Sequence, residues 1–185
     1  MASRLGGTFQ KVIMNKINQE FNLYDVMQNV SISALACHSF TLGYYKVARN
    51  KTEKLNFPKL KYLFFVLPIV YHKTTREVFR SSNELYTAIL SDREIILGLQ
   101  DRANKMSPQT FDALNLTFSK KIMDYNKNEK TIEILYGFKS EKISIPSSIG
   151  RENIVRNIQN SAHKLGHIFA KNTEKNIQLE LNIRF

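Results

Sequence analysis

The chain has 185 residues, 43% of them hydrophobic and 23% charged, with a net charge of +11 and one cysteine. That length suits one domain, or two small ones sharing a core, and the composition excludes a chain too polar to fold. A single cysteine excludes an internal disulfide and a cysteine-rich zinc site, and no run approaches the roughly 20 apolar residues of a membrane span.

No segment has the pattern of a signal peptide, so a cytoplasmic protein is expected. The positive charge is uneven: +8 over residues 1–80, zero over 81–150 and +3 over 151–185. A basic excess of this kind suits polyanions or an acidic protein partner.

Residues 1–30 read as an N-terminal arm. Phe9, Val12, Ile13 and Ile17 have helical spacing, but the Gly6-Gly7 pair and several asparagines weaken the pattern. Residues 31–185 read as a single α-rich domain. Its first helix is predicted from about Ser31 to Arg49, capped by Asn29 or Ser31, with Ile32, Leu35, Ala36, Leu42 and Val47 as its apolar stripe. Cys37 falls within it and is expected to be a core residue.

After a charged connection over 50–56 comes the most apolar stretch, Pro58 to Arg80, in which every residue from Leu63 to Val70 is apolar. It reads as a central buried helix, with Pro58 in its first turn and a kink or break at Pro68. The chain then turns basic at His72-Lys73-Thr74-Thr75-Arg76, and a second short helix through Val78 and Phe79 is expected.

A short helix is predicted to open at Glu84 and Leu85 and to run through Leu90. The run Ser91-Asp92-Arg93-Glu94 reads as a capping box for the next, with Ile95, Ile96, Leu99 and Ala103 on one face. Ser107-Pro108 signals a third helix through Phe118 to Met123, ended by a polar turn over 126–129. A β-hairpin is then expected between Thr131–Tyr136 and Lys142–Ile145, turning around Gly137. Three short helices and a hairpin follow the order of a winged helix, placing that segment at about 82–146.

A linker over Pro146–Gly150 leads to a final helix, about Arg151 to Lys171. The closing Ile177, Leu179, Leu181 and Ile183 alternate with polar residues and predict a half-buried strand, a third beside the hairpin. The predicted fold class is therefore mainly α with a small β-hairpin or sheet. A winged-helix-like module sits between N-terminal and C-terminal helices.

No catalytic constellation stands out. His163 and His167 lie four apart on the last helix, but Lys164-Leu165-Gly166 between them supplies neither the glutamate of a zincin nor a third ligand. Asp92 and Glu94 sit at a helix start, where capping accounts for them. The chain has no phosphate-cradling loop and no Gly-x-Ser-x-Gly elbow. No catalytic residue, metal, cofactor or small-molecule substrate is expected, and the chain reads as a non-enzyme. A DNA reader would need a basic recognition helix and wing. Lys120 and Lys121 are offset there by Asp112 and Asp124, and Lys130, Lys139 and Lys142 by Glu129, Glu133 and Glu141. The charge-neutral module favours a protein partner. Lys46, Arg49, Lys51, Lys54, Lys59 and Lys61 remain a basic surface for nucleic acid or an acidic partner.

The run Leu63-Phe64-Phe65-Val66-Leu67-Pro68-Ile69-Val70-Tyr71-His72-Lys73-Thr74-Thr75-Arg76 resembles the Leu-Pro-Leu-Val-Leu-His-Lys-x-Thr-Arg signature of the middle component of bacterial three-component ABC systems. These conflict systems include the Lamassu-type anti-phage defences. The helix Ala162 to Ala170 is similar to that family's Ala-x-x-Leu-Gly-x-x-Phe-Ala, and the likeness covers roughly residues 30 to 185. Thr74 stands where the family often has proline after His-Lys, and the N-terminal arm is long. The resemblance implies a non-enzymatic adaptor. It would link an ABC ATPase sensor, similar to those that maintain chromosome structure (SMC-like), to an effector such as a nuclease, and would restrain that effector. Its partners would be those two subunits, with DNA contacted through the complex. His72, Lys73, Arg76 and Arg80 are the expected partner-binding residues. The alternative is a winged-helix transcriptional regulator binding DNA alone.

Overall fold

A computed structural model describes residues 29–51, 55–145 and 154–184. The N-terminal arm up to residue 28, Lys54 and the Pro146–Gly150 linker lie outside them. Helix α1 (Val30–Ala48) starts where the sequence places its cap: Asn29 Oδ1 accepts from the N–H of Ser31 at 2.9 Å and of Ile32 at 3.4 Å. Most of α1 is buried, Cys37 included, and burial pushes that thiol up to about 12.

The apolar stretch is buried as expected but is not one helix. It divides into α2 (Leu60–Leu63) and α3 (Val66–Val70), with the first break at Phe64–Phe65 rather than at Pro68, and α4 (Lys73–Ser81) follows as the second helix expected through Val78 and Phe79. Pro68 is the third residue of α3, where its N–H would have had no intrahelical partner. Pro58 lies ahead of α2. Its carbonyl accepts from Ile132 N–H at 2.9 Å, and Leu60 N–H donates to the Lys130 carbonyl at the same distance.

Helix α5 (Leu85–Ser91) matches the prediction. Beyond it Asp92, not Ser91, is the cap: Asp92 Oδ1 accepts from Glu94 N–H at 2.8 Å over a 3-10 turn at Arg93–Ile95. Gly98, at φ +62°, then supplies the left-handed step into α6 (Leu99–Ser119). Pro108 lies inside α6, so the two helices expected on either side of it are one. The hydrogen bond that proline cannot donate is lost near exposed Asn104, while packing against α1 and α3 holds the helix on course. That merger removes the separate recognition helix assumed by the winged-helix reading.

The hairpin also pairs differently. Strand β1 (Met123–Asn126) runs antiparallel to β2 (Thr131–Ile134), with Met123 opposite Ile134 and Asn126 opposite Thr131. The polar segment read as a helix end is the hairpin turn: Asn126 Oδ1 accepts from the N–H of Asn128 and of Glu129, and Lys130 takes φ +56°. Gly137 sits in a 3-10 turn (Tyr136–Phe138), and residues 142–145 form no strand.

Helix α7 (Ile154–Lys171) lies within its predicted range. The closing segment is not a strand but α8 (Glu174–Leu181). Thr173 caps it, its Oγ1 accepting from Asn176 N–H at 3.2 Å, and Asn182 ends it at φ +50°. Ile177 and Leu181, one turn apart, are buried, while Leu179 between them is 68% exposed. What joins the hairpin as a third arm is Lys59, which bridges Thr131.

The core forms where α1 crosses α7. A Cβ on Gly43 would stand 2.0 Å from the His163 carbonyl oxygen, and one on Gly166 would stand 2.1 Å from that of Phe40. The two backbones therefore touch. Around the crossing Phe169 meets Phe40 and Tyr62 edge-on, with ring centroids 5.4 and 5.8 Å apart.

Candidate interaction surfaces

Residues predicted to bind partners divide between surface and interior. His72 and Lys73 lie exposed at the start of α4, where His72 Nδ1 shares a 2.8 Å hydrogen bond with Thr75 Oγ1. Arg80 is exposed near the end of the same helix. Arg76 between them is only 6% exposed, and its Nη1 donates to the carbonyls of Val70 at 3.0 Å and Tyr71 at 3.4 Å. Those are among the carbonyls that α3 leaves unpaired at its C-terminus, so Arg76 ties α4 back onto α3. Burial lowers its pKa, with nearby Glu77 opposing and Arg80 adding to that shift.

The basic surface is divided as well. Lys59 and Lys61 converge on Glu174 of α8, Lys59 Nζ at 3.0 Å from one oxygen and Lys61 closer to the other. The Lys61 hydrogen bond is the main reason the Glu174 carboxyl is held below its ordinary range, with Lys59 adding to it and burial opposing. Arg49 is exposed, its guanidinium carbon 5.7 Å from the Tyr45 ring centre, and Tyr45 stacks on Phe57 at 4.9 Å. Lys51 is exposed and Lys46 half-buried.

Sequence reasoning set aside a group of cations that the tertiary structure assembles around α7. Lys142 Nζ donates to Asn160 Oδ1 at 2.9 Å, and Lys171 Nζ to the Asn83 carbonyl at 3.2 Å; Lys164 Nζ also bonds the Asn83 side chain. The rings of His163 and His167 lie 4.4 Å apart, and both Nε2 atoms are buried without a hydrogen-bond partner. Burial drives His163 down to about 3, with His167, Lys142, Lys46 and His38 adding to the shift. His167 is lowered by burial too, then by Lys164, Lys46, Lys171 and Lys142. Among the described residues no three metal-binding side chains gather into a site. One signal was available in the sequence: neither Val30–Ala48 nor Ile154–Lys171 contains an aspartate or glutamate.

Among the described residues no helix is long and apolar enough to cross a membrane. Large apolar side chains stand exposed elsewhere, among them Tyr86 at 59% and Leu90 at 54%, one turn apart on α5. Compared with known families, the chain matches the one described as ABC-three component (ABC-3C) system Middle Component 3 over residues 14–185. Neither the curated proteins nor the solved structures yield a match.

Proposed function

The chain belongs to the Middle Component 3 family and is an accessory component of an ABC-three component system, and from that premise we propose that it is an adaptor without a reaction of its own. It links an SMC-like ABC ATPase to an effector such as a nuclease and restrains the effector until the ATPase changes state, as in Lamassu-type defence in the cytoplasm. Such restraint requires it to bind the two ATPase states with different affinity.

One observation carries this reading. Tyr86 and Leu90 stand exposed one turn apart on α5, directly after α4 with its outward His72, Lys73 and Arg80. An exposed apolar pair on the helix that follows the exposed Lys73 and Arg80 is the composition of a protein-docking surface, in which an aromatic or aliphatic anchor supplies affinity and the charged rim orients the partner. Arg76 supports that surface from beneath by fixing α4 against α3.

Co-expression of this chain with the products of its neighbouring genes, followed by affinity purification, tests the assignment. The unaltered chain is expected to hold both ATPase and effector. Arg80→Glu combined with Leu90→Ser is expected to release one of them at least tenfold more readily while leaving the other bound. Recovery of the unaltered chain alone, or turnover of a substrate by the purified chain, overturns the proposal.

A further inference from the structure

Helix α7 presents a cationic ridge with nothing acidic on it. Asn160, His163, Lys164, His167 and Lys171 recur at spacings of three and four and share one side of the helix. The ridge is about 16 Å long at 1.5 Å per residue. Lys142 of the preceding loop is tied to Asn160 on it, and Lys46 lies one turn beyond Gly43, where α1 meets the His163 backbone. Every group acting on His163 or His167 is a cation or another histidine.

What distinguishes these lysines from Lys59 and Lys61 is their partners. Lys142, Lys164 and Lys171 meet only amide and carbonyl oxygens, and Lys46 makes no hydrogen bond or ion pair among the described residues. Among the described residues no carboxylate forms an ion pair with any of the four. A metal cation would be repelled by the surrounding lysines, whereas an anion is attracted.

We propose that the α7 ridge, with Lys46 and Lys142, is a docking surface for the phosphodiester backbone of duplex DNA. A ridge of this length faces several phosphates of one strand, which follow one another every 3.4 Å along the axis. Among the described residues the exposed large apolar side chains lie on elements other than α7, so a protein laid on this ridge would find no apolar anchor on the helix. Tyr45, beside Lys46, is already stacked on Phe57 and so is not a free platform for the bases of a single strand. Because the proposed contacts are to the phosphodiester backbone, binding is independent of sequence. The adaptor role is not needed for any of this; the surface is a property of the isolated chain.

Fluorescence anisotropy with the full chain and a labelled duplex of arbitrary sequence, followed from about 50 to 200 mM salt, tests the proposal. The unaltered chain is expected to bind with an affinity that falls steeply with salt. Lys164→Glu with Lys171→Glu is expected to weaken binding at least tenfold. The milder Lys164→Gln with Lys171→Gln is expected to lower the log–log salt slope by roughly 2, about 0.9 per lost contact. Lys120→Glu with Lys121→Glu, at the far end of α6, is expected to change affinity less than twofold. Circular dichroism checks that each variant is folded. Absence of binding at about 50 mM salt, equal losses in the ridge and α6 variants, or a poly-glutamate peptide binding as tightly as the duplex each overturn it. Loss of partner co-purification with these DNA results intact bears on the adaptor role alone.

Discussion

Arg76 lies one helical turn from both His72 and Arg80, so spacing alone would group the three on one face. Burial separates them, because only Arg76 reaches the carbonyls that α3 leaves open. Removing it strands those buried acceptors, and Arg76→Ala is expected to cost about 2–3 kcal/mol in urea unfolding, with Arg76→Lys recovering only part because it lacks the guanidinium fork. His163 adds a pH dependence. Its folded-state value near 3 lies below the roughly 6.5 of an unfolded histidine. Between those values the unfolded chain holds the extra proton, so stability is complete above about pH 6.5 and is lost as pH falls toward 3. His38 and His167, both lowered chiefly by burial, act in the same direction. Melting temperature is expected to fall between pH 7 and 5, and His163→Gln to flatten that slope.

The α1–α7 crossing sets the limits on substitution among the elements. Alanine is ordinarily the better helix residue than glycine by about 0.8–1.0 kcal/mol. At Gly43 and Gly166 the added carbon would meet backbone oxygen at 2.0 and 2.1 Å, and backbone cannot swing aside as a side chain does. Gly43→Ala and Gly166→Ala are each expected to destabilise by more than about 2 kcal/mol in denaturant titration, since the overpacking outweighs the propensity gain. Glu174→Gln, which removes the partly exposed pairing of α8 with Lys59 and Lys61, is expected to cost under about 1 kcal/mol by the same measurement. The start of α1 was legible because the Asn29 side chain two and three residues away sets it. In the hairpin, β2 was legible but its partner was not: Met123-Asp124-Tyr125-Asn126 alternates over only four residues, directly after the helical run that ends α6, and it is pairing with β2 that orders it as a strand.

For the whole molecule, the candidate surfaces were legible in kind but not in membership. The net charge of +11 and the cations after Val70 pointed to binding, yet sequence cannot show which cations end beside a carboxylate. Lys59 and Lys61 share one glutamate more than a hundred residues away, while among the described residues Lys142, Lys164 and Lys171 pair with no carboxylate. By itself the sequence determined the Asn29 cap, the mainly helical class, the burial of most of Leu63–Val70 and the last long helix, since these rest on hydrogen bonds and periodicities spanning a few residues. Only the tertiary structure decided the hairpin's partners, the helical state of Glu174–Leu181 and the pairing of each charge. Those depend on packing between segments far apart in the chain, which can override a local pattern as it does at Leu179, left exposed so that Ile177 and Leu181 share one buried face.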